Sequence, residues 1–279
     1  MDKASFKNKV NEFVKNSPEN YVPKELAMRP DLALMQIYDE PIFGYASADD
    51  PCFSELKKPG VIGNHFMSPV EWLPGAKTVI SLFLPYTSRV RLSNSVNMDW
   101  PSEEWLHARI EGQSFQNALC RFAGELLERE GCPSVTPMID SRLKSGNPLE
   151  PDKNKQESYS SNWSERHVAY VAGLGTFGLS RGLITRKGVA GRFISIITSA
   201  FFEPDKRTYT GIYDYCVMCG ACVRNCPVKA ISIENGKMHS PCSKFLDRTR
   251  EKHAPRYGCG KCQVKVPCES KAPKTPIAP

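Results

Sequence analysis

Eight cysteines crowd the last quarter of the chain, in a spacing suited to iron–sulfur chemistry. Cys216-x-x-Cys219-x-x-Cys222-x-x-x-Cys226-Pro227 is a dense run. Three thiolates two residues apart on one tight loop can each bind a different iron of one [4Fe–4S] cube. The fourth is carried away by the next turn and serves a second cube. Gly220 and Ala221 leave room for backbone to wrap the cube and aim N–H groups at its sulfides, and Pro227 turns the chain away. Zinc ribbons use two separated pairs instead. Cys242, Cys259-Gly260-Lys261-Cys262 and Cys268 follow. Each cube takes four ligands, so eight cysteines supply two cubes with none left over. The reading gives Cys216, Cys219, Cys222 and Cys268 to one cluster, and Cys226, Cys242, Cys259 and Cys262 to the other. Cys120 falls in a helical stretch and reads as a core residue. Cys52 and Cys132 sit near loops and receive no role.

The rest of the composition narrows the setting. The 279 residues are 41% hydrophobic and 24% charged, which excludes disorder for the bulk of the chain. No run reaches the ~18 apolar residues of a membrane span, so no membrane role is expected. Met1 to Lys7 has neither an apolar signal core nor a twin-arginine pair, so the expected location is cytoplasmic. Thiols stay reduced there, and grouped cysteines suggest metal or redox chemistry rather than disulfides. The net charge is +7, and residues 241–279 hold nine Lys/Arg against three Asp/Glu. Clustered cations can bind nucleic-acid phosphates. They can also offset two cubes of about −2 each, and this local reading is preferred.

These residues need elements to hold them. Phe6, Val10, Phe13 and Val14 recur at helical spacing and predict an N-terminal helix. Residues 17–75 are rich in Pro and Gly and read as short helices and loops. Thr78 to Leu84 is a short apolar run ended by Pro85, which suits a buried strand. Ser102 caps a long helix, with Glu103 and Glu104 at its positive end and Gly131 as its stop. Phe115, Leu119, Phe122 and Leu126 form its apolar stripe. Val135 to Ile139 reads as a strand ending at Asp140. Residues 141–162 are polar, a long connection that suits a lid or binding loop, or a solvated insertion. A helix from Ser164 to Ala172 and a strand from Arg192 to Ala200 complete the series. Mixed elements without regular βα alternation predict an α+β layered domain over residues 1–205, followed by a cysteine-rich domain over 206–279.

Gly173-x-Gly175-x-x-Gly178 matches the dinucleotide fingerprint in its letters. That site needs a strand before it, a helix after it and an acid about 20 residues on. Here a helical stretch precedes it, and no acid occurs between Gly178 and Phe202. A tight loop that brings backbone against something flat and large is the better reading.

Ala172 to Gly178, the strand at Arg192–Thr198 and the cysteine run resemble the epoxyqueuosine reductase family, relatives of the corrinoid-dependent reductive dehalogenases. The similarity covers roughly residues 60–268, and Cys242, sixteen residues after Cys226, resembles the family's second-cluster ligand. The resemblance implies a nitroreductase-like layered domain followed by a bacterial-ferredoxin-like two-[4Fe–4S] domain. It also implies cobalamin bound on the first domain beside one cluster, with electrons passing from the clusters to cobalt. The flat object near Gly173, Gly175 and Gly178 would then be the corrin ring. Three features depart from the family. The polar stretch 141–162 interrupts the short link after the strand-end Asp. Cys262-x5-Cys268-Glu269 is longer than the usual gap. The family's helical tRNA-gripping repeat does not follow Cys268, which makes tRNA a lesser expectation.

Reductive chemistry also needs a proton donor. Asp140 is the first candidate, because a strand end places a side chain at a cavity edge; a turn-forming role is the alternative. Arg166 and His167 precede the glycine loop and are candidate cofactor or substrate contacts, with a helix-face ion pair as the plain alternative. His65 and His107 are lesser candidates. No paired carboxylates, nucleophile–base set or phosphate-binding P-loop is visible. The expectation is an iron–sulfur oxidoreductase that uses two [4Fe–4S] clusters to reduce cobalamin and, through it, a small molecule or modified nucleoside. A low-potential donor such as ferredoxin or flavodoxin would feed it. The alternative is a ferredoxin-like electron-transfer protein, or a reductive activator of a separate corrinoid protein, with no substrate of its own.

Overall fold

The computed structural model describes residues 1–146 and 159–273. Helix α1 (Lys3–Asn16) is capped by Asp2, whose side chain accepts from the Ser5 N–H, and buries Phe6, Val10 and Val14. Strands β1 (Ile42–Ser47) and β2 (Thr78–Pro85) pair antiparallel. The short helices α2 (Pro51–Leu56) and α3 (Pro69–Trp72) lie between them in sequence. After α4 (Ser88–Asn94) comes α5 (Glu103–Arg129), where the Ser102 side chain accepts from the Trp105 N–H as a helix cap should. The strands β3 (Ser134–Val135), β4 (Ser145–Gly146) and β5 (Ser160–Ser161) are two residues each. Helix α6 (Glu165–Val171) leads into the hairpin β6 (Gly175–Phe177) and β7 (Leu183–Thr185). Strand β8 (Gly191–Thr198) closes the first part of the chain. The main sheet has the order β1-β2-β8-β3.

The fold is α+β, with helices on both faces of this sheet. Side chains alternate along a strand. Ile80, Leu82 and Leu84 of β2 and Ile194 and Ile196 of β8 share a core with residues of α1 and α5. Val79 and Ile197 point the other way, into a core with α2, α3 and α6. Burial on both faces is why β2 and β8 read as near-continuous apolar runs. A row of small residues, Gly44–Ser81–Ser195, crosses the sheet. It lets the end of α6 come close: a Cβ on Gly44 would lie 2.3 Å from the Ala172 carbonyl oxygen.

Some expectations are corrected here. The expected strand Val135–Ile139 is a two-residue strand followed by a 3-10 turn, Pro137–Ile139. Pro137 has no N–H to continue the ladder. Asp140 therefore follows a turn, not a strand. Strand β1 and the β6–β7 hairpin were absent from the sequence reading. The centre of the polar stretch 141–162 lies outside the described residues; its ends pair as β4 and β5.

The truncated β3 leaves an opening. It pairs only with Ile197 and Thr198 of β8. From Gly191 to Ile196, β8 pairs with β2 on one side and with no strand on the other among the described residues. These residues are nevertheless mostly buried.

The cysteine-rich segment packs on this frame. It contains α7 (Ala221–Arg224), the pair β9 (Ile231–Ser232) and β10 (Gly236–Lys237), and α8 (His239–His253). The Cys268 and Glu269 carbonyls accept from Val189 (2.9 Å) and Ala190 (3.1 Å) just before β8. Arg256 joins Glu111 of α5 at 2.5 Å, and Arg91 joins Glu269 at 3.0 Å.

Candidate metal centre and cleft

The local backbone explains how the cysteines are presented. Met218 (φ 48°) and Gly220 (φ 68°) hold left-handed conformations between the first cysteines. Gly220 caps α7, which carries Cys222, and the Cys226 N–H closes onto the Val223 carbonyl at 3.2 Å. Cys226 then faces the next turn, where its sulfur accepts from the Ala230 N–H at 3.2 Å. Cys242 lies in the first turn of α8. Gly260 (φ 69°) sits against Trp105 of α5: a Cβ there would lie 2.0 Å from the indole ring. Only glycine lets the Cys259–Cys262 loop approach this closely.

The sulfurs fall into two sets. Burial pushes the Cys268 thiol up to about 12, with Cys216, Cys222 and Cys219 adding to the rise. Burial pushes Cys259 to about 12 as well, with Cys262 and Cys242 adding. Cys262 is raised by burial and by Cys242 and Cys226, against Lys237, which lowers it. Thus Cys216, Cys219, Cys222 and Cys268 are mutual neighbours, and so are Cys226, Cys242, Cys259 and Cys262. Cys222, raised to about 11 by burial, also feels Cys262, so the two sets adjoin. Among the described residues no three His, Cys, Asp or Glu converge as the ligands of a single metal ion would. A cube holds its thiolates at separate corners, and two sets of four soft ligands fit two cubes. Loading them must displace protons from thiols that burial keeps neutral.

Arg166 and Lys237 adjoin the second set. Arg166 on α6 is exposed by surface, and its Nη1 donates to the Arg181 carbonyl at 2.9 Å. Its pKa is lowered, first by burial and then by Arg192. His167 is pushed down to about 4 by burial and Arg166, so it is neutral at physiological pH. Its Nδ1 lies 2.7 Å from Ser164 Oγ. Lys237 on β10 faces Cys262, Cys242 and Arg166. Arg192, near the start of the open edge of β8, acts on Arg166. Buried backbone N–H and C=O groups require partners. A flat molecule rimmed with amides would suit such an edge.

The remaining candidates fall elsewhere. Asp140 is locked to Arg142 through two contacts of 3.0 and 2.8 Å. This pairing holds its carboxyl below the usual range, as an anion with no proton to give. A cavity of about 490 Å³ beside Arg142 is lined by His65, Met67, Lys144 and Asn162 as well. Gly173 ends α6: the Leu174 N–H bonds the Ala169 carbonyl at 2.9 Å and the Gly173 N–H bonds Tyr170 at 3.2 Å. A Cβ on Gly175 would lie 1.9 Å from the Ile184 carbonyl oxygen, and one on Gly178 would lie 3.1 Å from the Ile184 side chain and 3.7 Å from Cys216 Sγ. At Gly175 the close approach is to protein backbone, and Gly178 lies against Ile184 and near the first cysteine set. Among the described residues neither Arg166 nor His167 meets a carboxylate within ion-pair distance. His107 is buried, accepting from the Met28 N–H at 3.1 Å with Nδ1 3.0 Å from Glu111, a structural role. Cys120 is a core residue.

Sequence reasoning missed Arg109, Glu165, Arg192, Lys237 and Lys261. An arginine opening an apolar strand and a lysine between two cysteine ligands were the available signals. Among the described residues both Glu165 carboxyl oxygens are buried without a hydrogen-bond partner, and the Trp163 N–H beside them donates to Ser195 Oγ at 2.9 Å. Burial pushes Glu165 from an ordinary 4.5 up to about 8. The folded chain therefore holds an extra proton between those values, and stability falls as pH rises through this window. Glu165→Gln keeps the shape without the charge. Its melting temperature is expected to match the parent near pH 5 and to exceed it at pH 8; identical pH profiles would rule this out.

The family described as "4Fe-4S binding domain" matches residues 209–232. The chain thus carries an iron–sulfur binding segment that includes Cys216, Cys219, Cys222 and Cys226. No curated protein sequence matches the chain. Among solved structures, a selenomethionine-labelled epoxyqueuosine reductase is 19% identical over 99% of this chain and 69% of its own, with a TM-score of 0.52. The Bacillus subtilis epoxyqueuosine reductase, its catalytic loop swung out of the active site, is 18% identical over 99% of this chain and 69% of its own, also at 0.52. A catabolic reductive dehalogenase is 17% identical over 83% of this chain and 30% of its own, again at 0.52. The chain has the fold that these reductases share, as the sequence resemblance implied. Among the described residues no helix is long and apolar enough to cross a membrane.

Proposed function

We propose that the chain is an iron–sulfur reductase that carries two [4Fe–4S] clusters and binds cobalamin beside the second. The grouping of eight cysteines into two adjoining sets of four, with Arg166 and Lys237 beside one of them, is what supports this reading. When bound, these groups supply single electrons at low potential and a reducing cobalt centre. The chain's own residues do the rest. Cys216, Cys219, Cys222 and Cys268 hold the outer cluster, and Cys226, Cys242, Cys259 and Cys262 the inner one. The β8 edge meets the corrin, and Arg166 and Lys237 place positive charge beside the inner cluster. Asp140 can give a proton only after Arg142 releases it, so that ion pair gates its use as an acid. On this reading residues 1–205 form a nitroreductase-like domain and 206–279 a ferredoxin-like one, and the protein works in the cytoplasm.

A low-potential donor such as ferredoxin or flavodoxin has a place to dock. Cys219 is exposed, and Ile212, Tyr213, Val217 and Met218 form exposed apolar surface in the same segment. The same surface favours the second reading, an electron-transfer protein that activates a separate corrinoid partner. Anaerobic reconstitution with iron, sulfide and cobalamin separates the two. Retention of about one corrin per chain after desalting, seen in the visible spectrum, is expected; clusters without corrin would leave the activator reading.

A further inference from the structure

Arg166 and Lys237 stand near Cys262, where a cluster would offset them. Two other cations nearby have no such partner. Arg192 Nη2 donates to Gln113 Oε1 at 3.0 Å, and Gln113 lies one turn along α5 from Arg109. Arg109 Nη2 donates to Tyr257 Oη at 2.7 Å, and its guanidinium lies 4.7 Å over the Tyr257 ring. Tyr257 precedes Cys259 by two residues, so this arginine pair adjoins the loop of the second cysteine set. Neither arginine meets a carboxylate among the described residues. Glu111, the nearest acid along α5, is already held by Arg256 at 2.5 Å and His107 at 3.0 Å. Glu165 is protonated at neutral pH and neutralises nothing. Burial and Arg192 both lower the pKa of Arg109, as two cations held together without an anion require. The forks of two arginines match the oxygens of a carboxylate or phosphate.

We propose that Arg109 and Arg192 bind the oxyanion group, carboxylate or phosphate, of an acidic small-molecule substrate, and so anchor it beside the second cluster. This rests on the reading of the chain as a two-cluster reductase. The test uses protein loaded with iron and sulfide but no corrin, titrated calorimetrically with benzoate, inorganic phosphate and benzamide. At least one anion is expected to bind, and benzamide, the neutral isostere of benzoate, is not. Arg109→Gln and Arg192→Gln should each weaken anion binding about tenfold or more, with cluster absorbance unchanged. Arg192→Lys keeps the charge and should recover part of the loss. Equal binding of benzoate and benzamide, no anion binding, or parental affinity in both glutamine variants would overturn the proposal. Failure to retain cobalamin in the separate reconstitution would count against the functional reading and leave the anion site standing.

Discussion

A Cys226→Ala variant, reconstituted anaerobically, is expected to hold about four irons per chain where the parent holds about eight. The sequence run alone invites another outcome, because Cys226 directly follows Cys216, Cys219 and Cys222 and would complete a four-ligand set with them. The structure turns it away. Its sulfur accepts from Ala230 N–H at 3.2 Å and neighbours Cys262. Cys268 instead packs in one apolar cluster with Cys216 and Cys222, and is the fourth ligand on the proposed division. The Val189 N–H bond to the Cys268 carbonyl at 2.9 Å pins that residue to the turn before β8. A Cβ on Gly188 of that turn would lie 2.2 Å from the Glu269 carbonyl oxygen, so the contact leaves no slack. A Cys268→Ala variant should lose the other cluster. The two variants should then show different residual electron paramagnetic resonance spectra after reduction. Loss of the same signal in both, or of all iron in Cys226→Ala, would show that the sets are wrongly divided.

What could be read in advance was whatever the chain encodes locally. The cysteine run is legible because three ligands of one cube sit within seven residues, so reach alone constrains them. Helix α5 is legible through its cap and stripe. The cation group was not legible. Arg109, Arg166, Arg192 and Lys237 come from α5, α6, β8 and β10, and no spacing relates residues brought near one another only by tertiary packing. Gly175 does sit against backbone, the Ile184 carbonyl, whereas Gly173 ends a helix; sequence cannot say what approaches a glycine. Asp140 shows the same limit. Its position before Ser141 is visible, whereas its pairing with Arg142, which changes its acid chemistry, is a matter of side-chain placement.

Replacing Lys261 with methionine should move the reduction potential of the inner cluster to more negative values and leave the outer one nearly unchanged. Lys261 lies between Cys259 and Cys262 and is fully buried. Its Nζ donates at 2.6 Å to both the carbonyl and the side-chain oxygen of Asn94. The Asn94 amide in turn donates to the Cys259 carbonyl at 3.0 Å. These partners are neutral, and no carboxylate reaches the ammonium among the described residues. A buried charge without a counter-ion costs several kcal/mol. On the proposed reading, the two thiolates flanking this lysine would join a cube of about −2, which would offset the cost. A nearby positive charge favours the more negative, reduced cube, so its removal makes reduction harder. A redox titration followed by electron paramagnetic resonance reads both clusters in one sample. Asn94→Leu separates charge from architecture: it removes the anchor but keeps the cation, and should perturb the inner potential less than Lys261→Met does. Without metal, the Lys261→Met variant should be as stable as the parent or more so, because it leaves no unpaired charge in the core. A cluster-free Lys261→Met variant that melts earlier than the cluster-free parent would instead mark Lys261 as a packing residue.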